Sequence, residues 1–80
     1  MNIYRVSQTK NIDWDTYDSF VIAAETEEEA RNTYPTGIKI KVNDYIDFGA
    51  WCEPMYVKVE MIGTAVDGVC GVICASFNAG

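Results

Sequence analysis

The sequence predicts an α+β domain: a mainly antiparallel sheet of four or five strands with one short helix packed on one face. Three observations predict it. Several stretches alternate apolar and polar residues with a period of two, the mark of strands half-buried in a sheet. Only one helix start is written into the chain, at Thr26. Parallel crossovers need a dozen or more residues, and only the helical stretch offers one. The 80 residues have room for a single domain, 1–80, and 49% of them are hydrophobic, enough to form a core.

Residues 2–8 alternate moderately and predict a first strand; residues 9–17 are polar with two aromatics and read as a loop. Residues 18–24, Asp-Ser-Phe-Val-Ile-Ala-Ala, run apolar and predict a second strand, paired with the first as an antiparallel hairpin. Thr26 and Glu29 have the spacing of a capping box, and Glu27, Glu28 and Glu29 put negative charge where helical N–H groups are unpaired. Pro35 stops this helix after about two turns. So short a helix is unstable alone and must dock, with Ala30 and Tyr34 on one face.

Residues 38–43 alternate strictly: Ile38, Ile40 and Val42 on one side, Lys39 and Lys41 on the other. They predict an edge strand protected by its lysines. Residues 44–54 read as an aromatic-rich loop. Residues 55–62 alternate again, with Met55, Val57, Val59 and Met61 against Tyr56, Lys58 and Glu60. Asp67-Gly68 signals a turn, and residues 70–77 predict a last strand that forms a hairpin with the preceding one. Phe77 is expected to plug the core.

Composition excludes much chemistry. There is no histidine, so triads and mixed Cys/His zinc sites are out. Cys52, Cys70 and Cys74 are one short of a Cys₄ site, and no histidine activates them as nucleophiles. Cys70 and Cys74 in one strand would lie about 13 Å apart, too far for a disulfide. Six bases against twelve acids, a net charge of −6, supply no footprint for direct nucleic-acid contact. No Walker or dinucleotide glycine motif occurs. The chain is expected to be no enzyme and to carry no cofactor and no metal. An EF-hand reading of Asp13, Asp15 and Tyr17 fails: Asp18 stands where the loop needs glycine, and Ala24 where it needs glutamate. No signal-peptide-like or membrane-spanning run occurs, which predicts a soluble cytoplasmic protein with no membrane contact.

The acids are grouped. Those at 25–29 have a structural role at the helix start, although rows of carboxylates also suit mimicry of nucleic-acid phosphate. Two other groups interleave with aromatics: Asp13, Trp14, Asp15, Tyr17 and Asp18 in the first loop, and Asp44, Tyr45, Asp47 and Trp51 in the second. Aromatics anchor protein interfaces, so these nine residues are candidate partner contacts. The competing reading has Phe48 and Trp51 folding back onto the core.

Several stretches together carry a resemblance: Ile3-Tyr4-Arg5-Val6, Tyr17 to Val21, Ala24 to Arg31, Val57 to Ala65, and the closing Ala75-Ser76-Phe77-Asn78-Ala79-Gly80. In these the chain resembles a family of small proteins encoded by bacteriophages and prophages. The resemblance implies the cytoplasm of a bacterial host and an accessory protein that binds a host or phage protein, modulating or inhibiting it, as components of host defence are inhibited. Two alternatives stay open. One is a module that sequesters a small molecule or nucleotide, with Arg5, Arg31 and Lys58 as its cations. The other is a structural protein that self-associates, for which a homodimer through an exposed strand edge is the simplest form.

Overall fold

The computed structural model describes residues 1–11, 15–40 and 50–78. Four strands form one antiparallel sheet: β1 (Asn2–Ser7), β2 (Thr16–Ala24), β3 (Lys58–Thr64) and β4 (Gly71–Asn78), in the order β3-β1-β2-β4. One helix, α1 (Glu27–Arg31), packs across β1, β2 and β3. The fold is the small α+β sheet with one short helix that the alternation predicts.

β1 and β2 pair as expected, from Asn2 opposite Ala24 to Ser7 opposite Ser19. Side chains alternate across a strand, so Tyr4, Val6, Phe20, Ile22 and Ala24 share the face that α1 covers. Ala30 of the helix, Trp51, Cys52 and Val57 complete the core, and Tyr17, Tyr34, Val59 and Val72 pack against it. Ala30 is fully buried, because only a small side chain lets a helix approach the sheet so closely.

Thr26 is the N-cap of α1: its extended backbone places the hydroxyl to accept from the Glu29 N–H at 3.1 Å. Glu29 reaches back to the N–H of Glu25 at 3.4 Å, one residue before the cap. At the other end Arg31 donates to the carbonyls of Pro54 at 3.2 Å and Val57 at 3.0 Å. It thereby ties the helix to the 3₁₀ turn Pro54–Tyr56 that leads into β3. Replacing Thr26 with alanine leaves the Glu29 N–H without its acceptor. The expected loss is about 1 kcal/mol, read as a lower urea midpoint at unchanged m-value. An unchanged midpoint would show that the cap does not hold the helix.

Two expectations are corrected. Residues 38–40 are not part of a strand. Tyr34 N–H donates to the Ile38 carbonyl at 2.7 Å, and Ile40 N–H donates to the Asn32 carbonyl at 2.6 Å, around a turn at Gly37 with φ 97°. Lys39 reaches Glu29 at 3.1 Å. The chain just past α1 has backbone groups without helical partners, and here Ile40 satisfies the Asn32 carbonyl and Ile38 the Tyr34 N–H instead of joining the sheet. The rest of that expected strand, 41–43, lies outside the described residues.

Nor are the last two strands a hairpin: β3 and β4 form opposite edges, with β1 and β2 between them. A turn does form at Asp67-Gly68, where the Val69 N–H donates to the Val66 carbonyl at 3.2 Å and Gly68 has φ 87°. The segment 65–70 then crosses the end of the sheet. Three strand spacings, about 14 Å, are within reach of six residues. A tight turn fixes local direction; it does not choose which edge the next strand joins.

The expected strand over 55–62 is half right. Its first residues form the 3₁₀ turn, and Met55 and Met61 are exposed, while Val57 and Val59 face the core as their alternation predicts.

Candidate functional site

Among the described strands, β4 is bound on one side only. Its partner is β2, with Phe20 opposite Ala75 and Val21 opposite Cys74. Among the described residues no strand pairs with its other side. An edge strand presents unpaired N–H and C=O groups, and proteins usually blunt such an edge with charge. β3 follows that rule: it carries Lys58 and Glu60, whose charges meet at 3.5 Å, and Arg5 reaches Glu60 at 3.8 Å. β4 does not, since no residue from Gly71 to Asn78 is charged. Ile73 to Phe77 are all exposed.

The register explains how. Tyr17 pairs with Phe77 and Ser19 with Ser76, so Asp18 is an extra residue on β2; Val21 pairs with Cys74 and Ile22 with Val72, so Ile73 is an extra residue on β4. Such bulges re-aim side chains at a sheet edge. Asp18 and Ile73 both point into solvent, Ile73 at 48% exposure. Phe77 leans edge-on against Tyr17 with ring centroids 4.8 Å apart and stays 46% exposed. It does not plug the core; α1 packs mainly on β1, β2 and β3.

Tyr17 and Asp18 are held from behind by Gln8. This buried side chain donates to the Tyr17 carbonyl at 2.8 Å and the Asn11 carbonyl at 2.6 Å, and accepts from the Asn11 N–H at 2.7 Å. The Gln8 backbone N–H also donates to the Asp18 carbonyl at 3.1 Å. Asp15, at the entry to β2, is exposed with φ 60°, a left-handed conformation that aspartate tolerates.

Of the nine candidate contacts, Asp15, Tyr17 and Asp18 come together beside Phe77. Asp13, Trp14, Asp44, Tyr45 and Asp47 lie outside the described residues. Trp51 is corrected. It is 1% exposed, edge-on to Phe20 at 5.3 Å, and belongs to the core rather than to a contact surface. Its indole is the large apolar body that a small sheet needs to bury. The acidic-aromatic patch instead gains Phe77 and the free edge of β4. The signal for that was in the sequence: the last strand is apolar without a single charge to guard it.

The three cations considered for a small ligand are not gathered into one site. Arg31 holds backbone carbonyls and Glu27 on the helix side, whereas Arg5 and Lys58 flank Glu60 on the sheet. Among the described residues no group of three or more acids or cysteines is placed to hold a metal ion, and no helix is long and apolar enough to cross a membrane. Cys52 is buried, and burial, with Glu53 beside it, pushes its thiol from 9.0 up to about 11. Cys70 and Cys74 are exposed and free. A maleimide at neutral pH is therefore expected to modify two thiols of the folded protein quickly and the third only on unfolding. Because the folded pKa is the higher one, Cys52's contribution to stability is full below pH 9.0 and disappears as pH rises through about 11. Three equally fast thiols would contradict this placement.

No protein-family model matches the chain, and no curated protein and no solved structure matches it.

Proposed function

We propose that the chain is a non-enzymatic binding protein that engages a partner protein along β4, modulating or inhibiting it. The observation that carries this reading is the uncharged edge of β4, which no described strand pairs, with Ile73 exposed at mid-strand and Phe77 exposed beside Tyr17, next to Asp15 and Asp18 in the chain. A single apolar residue on a surface needs no explanation, but an uncharged edge strand with an exposed phenylalanine leaning on a half-buried tyrosine does. The resemblance to small phage-encoded proteins supports a bacterial host protein, including one of host defence, as the class of partner.

The experiment is affinity capture from bacterial lysate with the wild-type chain and with Phe77→Asp, which places a charge on the edge. Wild type should retain one protein in stoichiometric amount, and the variant, folded by circular dichroism, should retain at least tenfold less. Equal capture by both chains, or no stoichiometric partner for wild type, would refute the reading.

A further inference from the structure

We infer that what β4 receives is an extended segment of the partner, bearing lysine or arginine at its ends, which adds to the sheet as a fifth strand. The inference rests on the reading that β4 is the contact surface and goes further by naming the chemistry of what binds there.

An edge strand of eight residues offers main-chain donors and acceptors in a row, and an added strand satisfies them while alternate side chains give selectivity. Ile73 and Phe77 supply apolar contact to that strand. Among the described residues, the charged side chains flanking β4 all have one sign. Asp15 and Asp18 stand beside the Phe77 end, and Asp67 lies in the turn before Gly71. Lys10, in the turn after β1, is directed onto the Tyr56 ring at 4.8 Å. The strand is neutral and both its ends are acidic, so the complementary ligand is apolar or β-branched in the middle and cationic at its ends. A second copy of this chain fits less well. Antiparallel self-pairing of β4 sets the Asp18 end of one copy against the Asp67 end of the other, and each copy carries a net charge of −6.

The test uses the full chain labelled with ¹⁵N and two capped synthetic peptides, Lys-Thr-Val-Thr-Val-Thr-Val-Lys and its counterpart with glutamate at both ends. The lysine peptide should shift the amide signals of residues 71–78 and slow their hydrogen exchange. It should bind at least tenfold tighter than the glutamate peptide, with the ratio collapsing towards one at about 0.5 M salt. N-methylation of alternate peptide amides should abolish binding in one frame and be tolerated in the other, as only one set faces β4. The double variant Asp15→Asn, Asp18→Asn should lose most of the preference for lysine. The inference is overturned if neither peptide binds, if both bind alike, or if the shifts lie away from β4. It is also overturned if the free protein is a dimer whose β4 amides are already protected, which assigns the edge to a second copy. Lysate capture that is lost in Phe77→Asp, combined with indifference between the peptides, sinks strand addition alone. Capture insensitive to Phe77→Asp sinks the binding surface itself.

Discussion

Trp51→Ala is expected to remove a large fraction of the protein's stability, read as a much lower urea midpoint. The indole is 1% exposed and packs edge-on against Phe20, so alanine removes the largest buried side chain. Truncations of this kind cost about 3–5 kcal/mol, through lost transfer energy and the cavity left behind. A domain of 80 residues has a total stability of about 4–12 kcal/mol. The substitution therefore removes a large fraction of the total. Trp51→Phe separates packing from hydrogen bonding. Among the described residues the buried Trp51 Nε1–H has no acceptor, so the smaller ring gives up no bond to them when it loses that donor. It should cost about 1–2 kcal/mol, less than half the alanine effect. Urea unfolding followed by far-UV circular dichroism measures both. Alanine and phenylalanine variants of equal stability would show that residues 50–52 do not seal the core.

Gln8→Ala is expected to cost about 2–3 kcal/mol and to loosen the contact surface. The side chain satisfies the Tyr17 carbonyl and both backbone groups of Asn11, and alanine strands all three. Amide exchange at Tyr17 and Asp18 should accelerate more than exchange at Tyr4 or Val6 in the middle of β1, where the hydrogen bonds belong to the sheet. Gln8→Glu is a sharper probe. The introduced carboxylate still accepts from Asn11 but faces the Tyr17 and Asn11 carbonyls without a donor. Burial beside those oxygens raises the carboxyl's pKa in the folded state, so this variant loses stability as pH rises through that value. If Gln8→Ala leaves Tyr17 as protected as before, Gln8 is not what holds the acidic end of the sheet.

Local features were the legible part of this sequence. Thr26 with Glu29 located the helix start because a cap is a contact between near neighbours in the chain. Alternation placed Val57 and Val59 towards the core, and the continuous run 20–24 fell in the strand with most core contacts. Pairing partners were less legible. The Asp67-Gly68 turn is real, yet β4 joins β2 because both edges of a two-stranded centre were open to it, a choice that turn chemistry does not encode. The lysine alternation at 38–41 looked like an edge strand, but Lys39 serves the helix by pairing with Glu29. At the candidate site, composition groups Asp15, Tyr17 and Asp18, and the structure places Asp15 just before β2 and the other two near its start, whereas Trp51 lies in the core. A tryptophan among acids reads alike whether it faces a partner or the core. Phe77 reads as a core residue by its apolar strand, yet it stays 46% exposed because α1 packs mainly over β1, β2 and β3.

The order β3-β1-β2-β4 also sets a sequence of events in time. The central pair, β1 and β2, is joined by only eight residues and closes at small entropic cost. Each edge must instead be brought in from the last third of the chain, β3 to a partner whose strand ends about fifty residues earlier. The hairpin and its capped helix are therefore the natural nucleus, and the edges condense onto it late. A chain leaving the ribosome exposes both flanks of that hairpin until residue 58 and beyond have emerged. During that interval the surface that will hold β4 in the finished protein is open to any other strand.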